Sequence, residues 1–164
     1  MALSKTLQTA LNDQIQKEYY SSYLYLAMSA YLEAQNLPGM AKWTRIQSQE
    51  ELGHAMKLFD HVVDRGGWVA LAAIQQPPHE YGTALELFQQ VLTHEEHVTA
   101  SIHQLYAAAL TAQDYPAQVM LQWFVTEQVE EEKNASMVVE QLKAVGESKT
   151  SLMLLDRHLG KRGE

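Results

Sequence analysis

Apolar side chains recur along this chain at alternating steps of three and four, the spacing of one helix face, in four long stretches at residues ~6–34, ~40–65, ~83–112 and ~117–145. These stretches are rich in Ala, Leu, Gln, Glu and Met, good helix formers, and each is far longer than an average globular helix. Breakers separate them: Pro38-Gly39, Gly66-Gly67, Pro77-Pro78 with Gly82, Pro116, Gly146, and finally Gly160 and Gly163. No stretch alternates with a period of two, so the sequence predicts an all-α fold without strands. Short joints at residues 35–39 and 111–116 make the first and second helices, and the third and fourth, antiparallel neighbours. Residues 66–80 are a long crossover between the two pairs. Past Gly146, with Ser148 or Thr150 placed to cap it, residues 150–159 predict a short fifth helix. Leu152, Met153, Leu154, Leu155 and Leu159 crowd it, which points to an oligomer contact.

The core stripes carry an anomaly. In the third segment the stripe runs Phe88, Val91, Glu95, Val98, Ile102, Leu105, Ala109; in the fourth it runs Leu121, Phe124, Gln128, Glu131, Ala135, Val138, Leu142, Val145. The first aims Glu18 inward between Ile15 and Ser22, and the second places Glu51 and His54 one turn apart between Ser48 and Leu58. Burying an ionised carboxylate costs several kcal/mol even after relaxation, and no Lys or Arg stands at the adjacent core positions to offset it. Glu18, Glu51, Glu95 and Glu131 together carry a charge that two divalent cations neutralise. Carboxylates with a single imidazole suit iron or manganese better than structural zinc, which prefers a closed tetrahedral N/S set. Glu51-x-x-His54 alone is a chance motif; its force comes from four acids on four helices, each in phase with its own stripe. Two other readings stay open on these residues: a buried hydrogen-bonded network without metal, and a bundle that holds Zn(II) or Mn(II) without oxygen chemistry.

Composition narrows the field further. With 164 residues, 46% apolar and 20% charged, the chain has enough apolar content for a core of its own, and residues 1–164 read as one domain. The absence of cysteine excludes disulfides, thiolate metal sites and thiol catalysis. A formal charge of −8 without a basic block argues against nucleic acid or anionic lipid as partner. The longest apolar run, residues 68–74, is too short to span a bilayer, and the first residues lead directly into a polar periodic segment, so the expectation is a cytoplasmic protein.

Glu18 with Tyr25 seven residues on, Glu51-Leu52-Gly53-His54, Glu95, and Glu127-Gln128-Val129-Glu130-Glu131, with the long crossover and short fifth helix, resemble the ferritins and most of all the bacterial non-haem type. The resemblance implies a ferritin-like four-helix bundle in a homo-oligomeric, 24-subunit hollow cage. There Fe(II) is oxidised by O2 at a di-iron ferroxidase centre and stored as ferric mineral. Residue by residue, it implies that Glu18, Glu51 and His54 hold the first iron. Glu51 then bridges to a second iron held by Glu95 and Glu131, with Gln128 beside it. It also implies a third iron site on the acidic flank of Glu50, Glu127 and Glu130, whose bland reading is a solvated face. Haem is not expected, because Leu52 stands where the haem-binding relatives carry Met and Glu131 where they carry His.

Tyr25 lies two turns after Glu18 on the same face, its ring leaning back so that the hydroxyl reaches a ligand or bound oxygen. His94 and His97 flank Glu95 but point away from the inner stripe, and both are expected at the surface.

Overall fold

The computed structural model describes residues 3–164. Five helices follow in order: α1 Lys5–Ala34, α2 Pro38–Asp64, α3 Ala84–Thr111, α4 Tyr115–Val145 and α5 Lys149–Leu159, with no strand among the described residues. α1 packs along α2, α3 along α4, and α1 against α3, which closes a four-helix bundle with α5 lying against α2 and α4.

Local chemistry explains each boundary. Ser4 caps α1 by accepting from the Leu7 amide at 3.2 Å, and Thr83 with Glu86 forms a reciprocal capping box on α3. Asp114 caps α4 at Ala117 and takes two hydrogen bonds from Arg65, at 2.7 and 3.0 Å, pinning the end of α2 to the start of α4. Ser148, not Thr150, caps α5, and Gly146 ends α4 at φ +57°, the left-handed region where glycine carries no penalty.

α2 has no side-chain cap of its own. Asp156 of α5 supplies one, accepting from the amides of Gly39 at 3.1 Å and Met40 at 2.8 Å. The helices meet so closely there that a Cβ on Gly39 would fall 1.8 Å from the Asp156 carbonyl oxygen. Asp156→Ala is therefore expected to cost about 1–2 kcal/mol of stability, read as a lower thermal unfolding midpoint, because two orphan amides at a buried helix start lose their acceptor. α5 also turns Leu155 and Leu159 into the core, so only Met153 and Leu154 of the expected apolar crowd stand exposed, with Leu152 half-buried.

The crossover from residue 65 to residue 83 is strapped to α1. The Asn12 side chain bonds the Trp68 carbonyl and the Ala70 amide, Gln8 takes the Trp68 amide, and Gln16 reaches the Ala73 carbonyl. Gln8, Asn12 and Gln16 recur every four residues, so one helix face serves the whole strap. Trp68 and Leu71 stand well exposed along it.

The apolar core is split. One cluster, including Leu24, Tyr25, Phe88 and Val138, fills one end of the bundle; the other, including Leu11, Leu58, Ile102 and Phe124, fills the opposite end. Between them each of the four long helices contributes a polar turn, and that belt is the candidate site.

Candidate metal centre

The belt holds Glu18, Glu51, Glu95 and Glu131, none more than 4% exposed, with His54 and Gln128 beside them. All six are buried at the expected positions of their stripes. Two groups of three ligand atoms converge within 4.8 Å among the described residues: Glu18, Glu51 and His54, then His54, Glu127 and Glu131. His54 Nδ1 lies 3.2 Å from Glu51 Oε2 and 3.8 Å from Glu18 Oε2. Trp123 and Phe124 contact the imidazole edge-on at 5.3 and 5.9 Å, holding its ring plane.

Each carboxylate is oriented by a glutamine amide, a feature that periodicity alone does not reveal. Gln14 donates to Glu18 at 2.7 Å; Gln47 donates to Glu51 at 2.8 Å and to Glu131 at 2.9 Å; Gln128 donates to Glu95 at 3.2 Å. The Tyr25 hydroxyl, buried as expected, donates a short hydrogen bond to Glu95. A sequence signal for the first two existed: Gln14-x-x-x-Glu18 and Gln47-x-x-x-Glu51 place an amide one turn before an inward acid.

These hydrogen bonds do not neutralise the site. Among the described residues no Lys or Arg pairs with any of the four carboxylates. Glu18 Oε2 is buried and accepts no hydrogen bond from any described residue. Burial, and then the neighbouring Glu51, push the Glu18 carboxyl well up; burial with Glu95 and Glu131 does the same for Glu51. Burial raises Glu95, and burial with Glu95 beside it moves Glu131 up to about 7. The Tyr25 phenol is also raised by burial and by Glu95, so it stays protonated. Protonated, crowded carboxyls with an unbonded oxygen and an imidazole fit hard divalent cations, which replace the protons.

A pH dependence follows. A carboxyl whose folded pKa stands above its unfolded value of 4.5 contributes stability at low pH that is lost as pH rises through the folded value. Metal-free protein should lose stability between roughly pH 5 and 8, on the order of 3 kcal/mol per chain from Glu131. Thermal midpoints across that range check this, and saturating Zn(II) should remove the trend because the ion takes the place of the protons.

The flank residues part company. Glu127 is half-buried and turns toward His54 and Glu131, whereas Glu130 is exposed. Glu50 is also exposed and is held by Arg162 from the end of the chain. His97 is exposed as expected, and His94 is half-buried. It bonds the Ser21 hydroxyl at 2.8 Å and meets the Tyr25 ring edge-on at 5.9 Å, and burial holds its pKa down to about 4. Leu52 and Val129 face outward, 43% and 70% exposed, away from the ligands.

The family model for a ferritin-like domain matches residues 8–145. The chain is 41% identical over 160 residues to the bacterial non-heme ferritin of Bacteroides fragilis, spanning 98% of this chain and 99% of that one. It is 40% identical over 149 residues to the bacterial non-heme ferritin of Escherichia coli, 91% of this chain and 90% of the relative. Among solved structures, an open pore ferritin from the archaeon Archaeoglobus fulgidus superposes with a TM-score of 0.97 at 46% identity, over 98% of this chain and 99% of that one.

Proposed function

This chain belongs to the ferritin family, and on that premise we propose that it oxidises Fe(II) with O2 at a dinuclear carboxylate centre and stores the product as ferric mineral inside a homo-oligomeric cage. One observation carries the reading: Glu18, Glu51 and His54 offer ligand atoms within 4.8 Å of one another in a buried belt whose carboxyls are raised by burial and by each other. Iron is substrate here. Glu18, Glu51 and His54 take the first Fe(II), and Glu51 bridges to a second on Glu95 and Glu131, with Gln128 beside it. Binding expels protons from these carboxyls, so uptake strengthens as pH rises.

Two Fe(II) held side by side each give one electron to O2. The chain's part is to fix their spacing, leave positions open for oxygen and exclude bulk water. Tyr25, bonded to Glu95, holds that ligand and is a further electron source beside the metals. Glu50, Glu127 and Glu130 form the acidic flank by which a third iron approaches or leaves, with Glu50 paired to Arg162. Exposed Met153, Leu154, Trp68 and Leu71 are apolar surface for assembly contacts.

Aerobic addition of Fe(II) tests the reading. Rapid O2 uptake with ferric absorbance supports it. Oxidation no faster than in buffer, with two ions still bound, would favour a non-catalytic metal-binding bundle.

A further inference from the structure

After α5 the chain turns back along α2, and Arg162 reaches in to it with only 19% of its side chain exposed. The guanidinium lies 4.3 Å over the Trp43 ring and donates to the Trp43 carbonyl at 3.3 Å, to Gln47 Oε1 at 2.8 Å and to Glu50. Trp43, Gln47 and Glu50 fall at steps of four and three on one face, so a single side chain spans two turns.

Gln47 is the informative partner. Its amide nitrogen has two hydrogens and spends both on ligand carboxylates, Glu51 at 2.8 Å and Glu131 at 2.9 Å. Turned over, the same amide would set its oxygen against two carboxylates and its NH2 against whatever holds the other end. Arg162 can only donate, so it accepts nothing from a reversed amide and selects the orientation that serves the acids. Gln14 is built the same way on α1: its nitrogen serves Glu18, and its oxygen takes the Ser101 hydroxyl, which Lys17 approaches at 2.7 Å. The difference lies in the source of the outer donor. For Gln14 it comes from the bundle, and for Gln47 from the segment that α5 delivers.

We infer that Arg162 is a positioning residue for the metal centre, fixing the Gln47 amide so that Glu51 and Glu131, on facing helices, are held at the spacing two ions require. The inference rests on the dinuclear reading above. It makes the docking of the last segment, anchored by Asp156 on the start of α2, a condition for a well-formed centre.

Anaerobic titration with Co(II), followed by its visible spectrum, tests this on the full-length assembly. Wild type should bind two Co(II) per chain. Arg162→Ala should weaken the binding about tenfold and alter the spectrum, in the range typical of losing a partner behind a metal ligand. Gln47→Leu should weaken it at least as much, and adding Arg162→Ala to Gln47→Leu should change affinity by less than about twofold, because the path is already cut. Arg162→Lys, which keeps one donor for Gln47, should recover most of the affinity and covers the case in which the alanine variant does not assemble. Lys42→Ala, which removes only the exposed Lys42–Glu164 pair and leaves Asp156, Arg162 and Gln47 in place, should match wild type. Wild-type Co(II) binding in Arg162→Ala, or losses that add in the double variant, would overturn the inference while leaving the dinuclear reading intact. Fewer than two Co(II) in wild type would overturn the dinuclear reading itself.

Discussion

Glu95→Gln should lower the initial rate of Fe(II) oxidation by on the order of 100-fold, since partners behind a metal ligand already account for 10- to 100-fold and Glu95 is assigned as a ligand itself. The substitution keeps an oxygen to accept the Tyr25 hydroxyl while removing a charge that burial disfavours. Glu95→Ala is a coarser test: it strands the buried Tyr25 hydroxyl, at about 1–3 kcal/mol, while the Gln128 amide keeps the Glu95 carbonyl and the Thr99 hydroxyl. With glutamine, the unpaired cost is confined to its NH2 facing the Gln128 amide. The metal-free variant should therefore melt no lower than wild type above pH 7, where the four carboxylates repel one another most. Stopped-flow oxidation and calorimetry read the two effects separately. Wild-type initial rates would remove Glu95 from the centre.

Truncation after Gly146 should disperse the large particle and lower the thermal midpoint. The cut removes Leu155 and Leu159 from the core, each worth about 2–5 kcal/mol by comparison with buried leucine truncations, and uncaps α2 by removing Asp156. It also takes away Met153 and Leu154, the exposed apolar residues of α5 offered to neighbouring subunits. Sedimentation velocity distinguishes the outcomes, and an unchanged large particle would contradict the role given to α5.

Much of this was legible from spacing. A stripe such as Phe88, Val91, Glu95, Val98 can be satisfied only by a helix that buries its glutamate, and all four residues are buried in the structure. The same logic located Glu18, Glu51, His54, Gln128 and Glu131, because a helix period fixes direction as well as distance. Tyr25 was legible for the same reason. What stayed hidden depends on contacts between residues far apart in sequence. Asp156 reads as a polar residue on a terminal helix, yet it caps a helix that begins at Pro38. Arg162 reads as a charge near the end of the chain, yet it bonds Gln47 and Glu50. His94 is half-buried rather than free in solvent because it bonds the Ser21 hydroxyl of α1, a contact that angular position on α3 does not reveal. The fifth helix was overcounted as free apolar surface because its close approach at Gly39 lets Leu155 and Leu159 enter the core.

Crystals soaked anaerobically with Fe(II), with diffraction recorded on both sides of the iron absorption edge, test the central claim most directly, because they count the ions and show their ligands together. Two irons per chain are expected between the two apolar clusters, one on Glu18, Glu51 and His54, the other on Glu51, Glu95 and Glu131. A single ion, or iron confined to the exposed acids while the buried four stay metal-free, would contradict a dinuclear centre.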